Sequence, residues 1–193
     1  DKVAATVLAY LPGNFGGDAL ADILFGDVNP SGKLPYTYPR MVHSLINYWH
    51  KYSEEQVKDE GMYNYESDYS PMYEFGHGLS YTAFKYSDLK LSKKEITADE
   101  NLTVSVTVTN TGVREGKEAV LLYLSDLYAS LAPDMKRLKG FDKISLQPGE
   151  SKTVSFTLTK KELSFVNIDN KTIAEPGEFE VKIGDQKERF NLK

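Results

Sequence analysis

Two pairs of adjacent acidic residues are the first candidates for catalysis. They are Glu54 with Glu55 and Asp59 with Glu60. Catalysis by paired carboxyl groups requires both to converge on the bond that breaks, with one of them able to act as a general acid. Both pairs lie in a highly polar stretch, where no apolar run is available to raise a carboxyl pKa toward that of a general acid. The pattern favours a solvated face, and we predict no catalytic residue in this chain.

Histidine, cysteine and serine are the other residue types that could carry chemistry. His43, His50 and His77 are too few and too irregularly spaced for a zinc site with three or four ligands. The sequence contains no cysteine and no Gly-x-Ser-x-Gly elbow, so no covalent nucleophile is indicated. His77 stands between two glycines in EFGHGLSY, which favours a hydrogen-bonded turn residue. We therefore predict neither a metal site nor a cofactor.

A glycine-containing loop, LPGNFGG at residues 11–17, precedes a helical pattern. Free amides at a helix start can bind anions, but the glycine spacing here matches neither phosphate-binding pattern. Loops at the carboxyl ends of strands in α/β sheets commonly border ligand clefts. For Asn14 and Phe15 two alternatives remain open: a substrate-binding position beside a cleft, or a structural role in the turn.

The elements around this loop resemble the end of a larger unit. The continuous apolar run VAATVLAYL at residues 3–11 predicts a buried parallel strand, and DALADILFG at residues 18–26 predicts a helix that ends at Gly26. One strand and one helix cannot bury their own apolar surface. Residues 1–40 are therefore predicted to be the C-terminal remnant of an α/β domain. Because an exposed apolar strand is adhesive, we also expect self-association through residues 3–11.

Residues 41–83 are predicted to be an extended connector. This stretch is polar and rich in tyrosine, and it shows no sustained period of 2 or 3.6 residues. Its aromatic content is too high for a free linker, so we expect it to pack on the units that it joins. The aromatic residues considered for this packing are Trp49, Tyr63, Tyr65, Tyr69 and Tyr73.

Residues 84–193 are predicted to form a mainly β domain, a β-sandwich of about seven strands. In NLTVSVTVTN, at residues 101–110, apolar residues alternate with hydroxyl residues as in a half-buried antiparallel strand. Further short strands are separated by turn signals such as NTG, QPGE and EPGE. Four aromatic residues are expected to lie mostly in the core: Phe141, Phe156, Phe165 and Phe179.

Charge and hydropathy exclude two classes of partner. The formal net charge of -5 combines 28 acidic with 23 basic side chains scattered along the chain, and no basic stripe is available for a phosphate backbone. The longest apolar run is far shorter than the roughly 20 residues of a membrane helix. We therefore expect no nucleic acid partner and no membrane partner.

Five segments together resemble the C-terminal region of family 3 glycoside hydrolases, the group that contains many β-glucosidases and β-xylosidases. In chain order they are AYLPGNFGGDALADILFGDVNPSGKLPYTYP at 9–39, PMYEFGHGLSYTAF at 71–84, VTVTNTG at 106–112, LKGFDKISLQPGESKTVSFTL at 138–158 and EPGEFEVKIG at 175–184. They are spread over nearly the whole length of the chain, from residue 9 to residue 184. The resemblance implies an immunoglobulin/fibronectin III-like sandwich, preceded by the tail of an α/β sandwich domain.

The resemblance also implies where catalysis would occur. Such enzymes use an Asp nucleophile in a barrel domain and commonly a Glu acid/base in the α/β sandwich domain, and neither segment is found here. This chain is then an accessory part of a retaining β-glycosidase and inactive alone, with upstream catalytic domains of the same polypeptide as partners. The parent would act on a β-linked oligosaccharide or glycoside and would be periplasmic or secreted. The alternative is a carbohydrate-binding or adhesion module, consistent with the 13 tyrosines.

Overall fold

The structure, a computed structural model, describes residues 3–40, 42, 47–51 and 71–193, and most of its regular elements lie beyond Phe84. The helices of these described residues are α1 (Gly16–Phe25) and α2 (Lys160–Leu163). The strands are β1 (Phe84–Leu91), β2 (Glu95–Ile96), β3 (Leu102–Asn110), β4 (Gly116–Asp126), β5 (Arg137–Leu146), β6 (Ser151–Leu158), β7 (Phe165–Val166), β8 (Thr172–Ile173), β9 (Gly177–Ile183) and β10 (Gln186–Leu192).

Two sheets form the sandwich. One has three antiparallel strands in the order β1-β3-β6, and the other has five strands in the order β2-β10-β9-β4-β5, in which only β2 and β10 run parallel. Strands β7 and β8 form a separate two-stranded ribbon. The predicted β-sandwich is confirmed, and its two sheets hold eight strands in the described part of the chain.

The core lies between the sheets and follows the alternation seen in the sequence. Four side chains of β3 are fully buried, and they belong to Leu102, Val104, Val106 and Val108. Phe179 of β9 stacks on Phe190 of β10 with ring centroids 5.4 Å apart. Full burial of such a side chain stabilises the fold by about 1.5 to 3 kcal/mol, so this layer is the main source of stability.

The prediction that Phe141 lies in the core is wrong, since its side chain is 72% exposed. Ile144 and Leu146 of the same strand point inward, and with a period of two residues Phe141 falls on the opposite face. The other three predicted aromatics are at least half-buried. Phe179 is 1% exposed, Phe156 packs against the core, and Phe165 is intermediate.

The predicted α/β remnant is not confirmed, although the predicted helix is present and ends at Gly26 in the left-handed conformation at φ 85°. Residues 3–11 form no strand with any described residue, and Val3 and Leu11 are 74% and 97% exposed. A strand needs a neighbour that pairs with its N–H and C=O groups, and the described residues offer none here. The predicted buried strand is therefore replaced by an extended, exposed segment.

The described part of the connector packs as expected. Its end runs along residues 34–38: the Leu34 amide donates to His77 O at 2.8 Å, and the Tyr38 amide donates to Tyr73 O at 2.8 Å. Tyr63, Tyr65 and Tyr69 lie outside the described residues, as do both acidic pairs and His43. Within the described ranges, no helix has the length and apolar character needed to cross a bilayer.

Candidate functional site: the loop before helix α1 and the junction behind it

Asn14 and Phe15 occupy the tip of the turn that leads into α1. Both are exposed, Phe15 at 80%, and Phe15 is also the N-cap residue of the helix. The turn closes through the Gly16 amide, which donates to Gly13 O at 3.2 Å. A Cβ at Gly16 would lie 2.6 Å from the Pro12 side chain, so only glycine allows this tight return. The turn therefore presents Asn14 and Phe15 to solvent.

The surface next to this turn is strongly apolar. On α1, Leu24 and Phe25 are 69% and 85% exposed, and in the preceding segment Leu8 and Leu11 are 44% and 97% exposed. Large exposed apolar patches on soluble proteins mark interaction surfaces. We name the exposed apolar side chains of residues 3–11 together with Leu24 and Phe25 the apolar face.

Behind the apolar face, Asn29 joins the N-terminal segment to the sandwich. Its Oδ1 accepts hydrogen bonds from Ser80 Oγ at 2.9 Å and from the Tyr81 amide at 2.8 Å, and its Nδ2 donates to Glu115 O at 2.9 Å. One amide group thus connects three parts of the chain: the NPSG loop, the GLSY turn and the start of β4.

A buried ionic group provides the second link. Glu118 of β4 is 7% exposed, accepts from Tyr86 Oη at 2.9 Å and pairs with Lys33 Nζ at 3.1 Å. Lys33 also donates to Gly78 O at 2.9 Å. Burial, reinforced by the Glu118 carboxylate, raises the pKa of Tyr86, so the phenol stays protonated and donates. A carboxylate buried in this way requires its partners, so it fixes the position of Lys33 on the sandwich.

Asn110, at the end of β3, is the third link and is fully buried. Its Nδ2 donates to Arg114 O at 2.7 Å and to Leu146 O at 3.0 Å. Its Oδ1 accepts from Thr82 Oγ1 at 2.6 Å and from the Gly112 amide at 3.1 Å. The side chain therefore satisfies one carbonyl in the turn between β3 and β4 and one at the end of β5, and it holds the segment that enters β1.

The glycines of the GHG turn allow close approach of two backbone segments. A Cβ at Gly78 would lie 2.2 Å from Gly32 O, which no real side chain tolerates. His77, between the two glycines, donates its amide to Glu74 O at 3.0 Å, and its ring stacks on Tyr73 at 4.8 Å. The prediction of a hydrogen-bonded turn residue agrees with this geometry.

An aromatic cluster covers the outer face of β4. The rings of Tyr48 and Phe75 stack at 4.4 Å, and Trp49 and Tyr123 meet Tyr48 edge-on at 5.1 and 6.2 Å. The Arg137 guanidinium lies 5.2 Å from the centre of the Trp49 ring. These contacts are the expected anchoring of the connector on the sandwich.

Alkaline pH is expected to weaken this cluster through Tyr123. Burial, with contributions from Tyr48 and Glu74, raises the pKa of Tyr123 from 10.0 to about 12. Because the pKa is raised in the folded state, its contribution to stability is complete below pH 10 and is lost as pH rises toward 12. Urea midpoints between pH 9 and 12 should fall less steeply for Tyr123→Phe than for the wild type. Tyr128→Phe, at a 75% exposed position, should follow the wild type, and identical slopes for all three would contradict the assignment.

Lys33, Asn29, Glu118 and Asn110 were not singled out by the sequence analysis. A signal was present for Glu118, because it is in phase with the buried Val120, Leu122 and Leu124 in a strand of period two. Asn29, Lys33 and Asn110 lie within the family-like segments, whose spacing alone does not say which residues meet.

Comparison with known proteins assigns this architecture. The model of the glycosyl hydrolase family 3 C-terminal domain matches residues 1–81, and the model of the fibronectin type III-like domain matches residues 118–187. The chain thus corresponds to the C-terminal region of glycosyl hydrolase family 3 enzymes.

Named relatives agree with this assignment. The lysosomal beta glucosidase of Dictyostelium discoideum is 44% identical over 95% of this chain and 22% of its own length. The periplasmic beta-glucosidase of Salmonella typhimurium is 46% identical over 95% of this chain and 25% of its own. A beta-xylosidase of Formosa agariphila is 42% identical over 100% and 27%. The chain thus spans about a quarter of the length of these relatives, whose names favour the accessory interpretation over an adhesion module.

Solved structures show the same fold. A β-glucosidase from Erythrobacter marinus matches with a TM-score of 0.88 at 41% identity and covers 95% of this chain and 24% of its own. A β-glucosidase from Listeria innocua in complex with glucose also gives 0.88, at 33% identity over 95% and 27%.

Proposed function

We propose that this chain is the C-terminal accessory part of a retaining β-glycosidase that hydrolyses terminal β-D-glycosyl residues. The observation that carries the proposal is its alignment, over 95% or more of its length, with proteins named β-glucosidase and β-xylosidase. In this proposal the two catalytic carboxylates are supplied by upstream domains of the same polypeptide, and the substrate is a β-linked oligosaccharide or glycoside.

In this accessory role the sandwich holds the α1 segment in position for the upstream domain. The Asn29 and Lys33–Glu118 links fix the segment that carries α1 on the sandwich, and Asn110 holds the segment that enters β1. The apolar face then packs against the upstream α/β domain, which buries side chains such as Leu11 and Phe25 that are exposed in the isolated chain. Self-association through residues 3–11 stays a prediction. A second copy of the chain would use the same apolar face as the upstream α/β domain.

The Asn14–Phe15 turn is proposed to border the substrate cleft. An exposed phenylalanine ring can pack on the apolar face of a sugar, and the asparagine amide can donate to or accept from sugar hydroxyls. Because Phe15 is 80% exposed, it makes little contribution to the packing of this chain and is available for such a contact.

We propose a location outside the cytosol, periplasmic or secreted. Relatives are named periplasmic in Salmonella typhimurium and lysosomal in Dictyostelium discoideum, and both compartments lie beyond a membrane.

The proposed function can be tested with a hybrid enzyme. The chain replaces the matching region of the Salmonella typhimurium periplasmic beta-glucosidase, and hydrolysis of p-nitrophenyl β-D-glucoside is measured for the hybrid, for the relative without that region and for the chain alone. We expect turnover only in the hybrid. Turnover by the chain alone at the rate of an intact relative would exclude an accessory role, and a folded but inactive hybrid would also count against it.

Within this hybrid, Phe15→Ala is expected to reduce kcat/KM by about tenfold. Loss of an aromatic stacking contact is worth about 1 kcal/mol or more, and 1.4 kcal/mol is a factor of ten. The thermal midpoint should change little, because the ring is exposed. Ile168→Ala, at an 83% exposed position in the turn between β7 and β8, is the matched control and should retain full activity. Equal kinetics for both variants would place Phe15 away from the cleft.

A further inference from the structure

A cavity of about 480 Å³ opens within the sandwich domain, between the β4–β5 loop and α2. Its volume lies within the range of sites for small molecules. Much of its wall is apolar, with contributions from Leu124, Leu163, Phe165, Val166 and Phe179. The Asn14–Phe15 turn contributes no residue to this wall, so the cavity is separate from the site proposed above.

Lys139 lines this cavity because of an irregularity in β5. Leu122 pairs with Gly140 and Tyr123 pairs with Leu138, so Lys139 is the extra residue of a β-bulge. A Cβ at Gly140 would point inward, 2.9 Å from the Phe156 ring. Without the bulge, strand alternation would therefore place the neighbouring residue 139 on the outer face. The bulge therefore turns Lys139 toward the cavity, since β-bulges change the direction of a side chain.

The other charged groups of the wall have partners within the chain. Asp134 pairs with Arg137 and with Lys51, the latter at 3.1 Å. Glu162 accepts from the amide and hydroxyl of Thr159, at 2.8 and 2.6 Å. Two charged side chains of the wall, Lys139 and Asp126, form no ion pair of this kind with the described residues.

Lys139 and Asp126 are the incompletely paired charges. Among the described residues, no carboxylate lies within ion-pair distance of Lys139, and Asp126 accepts one long hydrogen bond, from the Tyr128 amide at 3.3 Å. Burial lowers the pKa of Lys139, aided by Arg137 and opposed by Glu162 and Asp134, and burial raises the pKa of Asp126. Each charge has thus lost solvent without gaining a full partner.

We propose that this cavity binds a small monocarboxylate with an apolar body, of the hydroxylated aromatic acid class. The ligand carboxylate pairs with the Lys139 ammonium, the ring packs on the wall formed by Leu163 and Phe165, and a ligand hydroxyl donates to the Asp126 carboxylate. The ligand thus supplies an anion to Lys139 and a hydrogen-bond donor to Asp126, and its ring fills the apolar part of the cavity.

The test is a titration of the 193-residue chain with 4-hydroxycinnamate, followed by amide chemical shifts. The matched ligand is 4-hydroxycinnamamide, which has the same body without the charge. The matched variants are Lys139→Met and Lys143→Met, the second on the same strand at an exposed position outside the cavity. Lys139→Arg retains the cation if the methionine variant fails to fold.

We expect saturable shifts centred on the cavity with the acid, and at least about tenfold weaker binding with the amide or in Lys139→Met. Lys143→Met and Lys139→Arg should bind within about threefold of the wild type. Equal affinity for acid and amide, unchanged binding by Lys139→Met, or shifts that do not saturate or lie elsewhere would each overturn the proposal.

Discussion

Replacing Glu118 with alanine is expected to lower the free energy of unfolding by about 3 kcal/mol or more. Removing one partner of a buried ion pair leaves the other charge uncompensated, which costs about 3 to 5 kcal/mol. Here the loss leaves Lys33 without its carboxylate and Tyr86 without its acceptor, and the Lys33 side chain is itself only 19% exposed. Urea unfolding at pH 7, followed by circular dichroism, measures the change.

Three further variants make this prediction specific. Glu95→Ala removes an exposed pair with Lys193 and should cost less than about 1 kcal/mol. Combining Glu118→Ala with Lys33→Met in a double-mutant cycle should recover part of the loss, because the unpaired ammonium is gone. Glu118→Gln keeps an acceptor for Tyr86 but removes the charge, so it should lower the Tyr86 pKa toward its usual range. A cost for Glu118→Ala no larger than that for Glu95→Ala would contradict the buried-link assignment.

Asn110→Ala is expected to destabilise the chain by about 2 to 4 kcal/mol. The side chain makes four hydrogen bonds at a fully buried position, and each buried group left without a partner costs about 1 to 3 kcal/mol. The same denaturation experiment measures this loss, and we expect amide exchange to accelerate in residues 80–84 and at the start of β4.

Asn191→Ala is the matched control, since Asn191 lies on β10 with an exposed side chain. Its effect should stay within about 0.5 kcal/mol. If Asn110→Ala were equally mild, the buried amide would not hold the surrounding segments together.

Together, the junction residues suggest why an enzyme domain would carry such a sandwich. Lys33 and Asn29 come from the segment that follows α1, whereas their partners Glu118 and Glu115 lie in β4 and directly before it. Each link crosses between the two, so the position of α1 depends on the sandwich. An accessory domain that fixes the apolar face in this way can influence a cleft without contributing a carboxylate.

The alternation of NLTVSVTVTN predicted β3 and its buried face correctly, because a period of two residues puts every second side chain between the sheets. Phe141 lies out of phase with Ile144 in the same strand, so this period of two sends its side chain outward. The apolar run at 3–11 predicted burial that this chain does not provide, since hydropathy reports what a segment needs and not whether a neighbour is present.

The sequence by itself determined the family, the β-sandwich, the helix ending at Gly26 and the turn around His77, because each depends on local periodicity or on glycines that few other residues can replace. Only the tertiary structure decided which residues join the loop segment to the sandwich. Lys33 and Glu118 are 85 positions apart by number yet meet at 3.1 Å, and the bulge that turns Lys139 inward exists only through the pairing of β4 with β5. Such contacts depend on the register between distant strands, which no local pattern encodes.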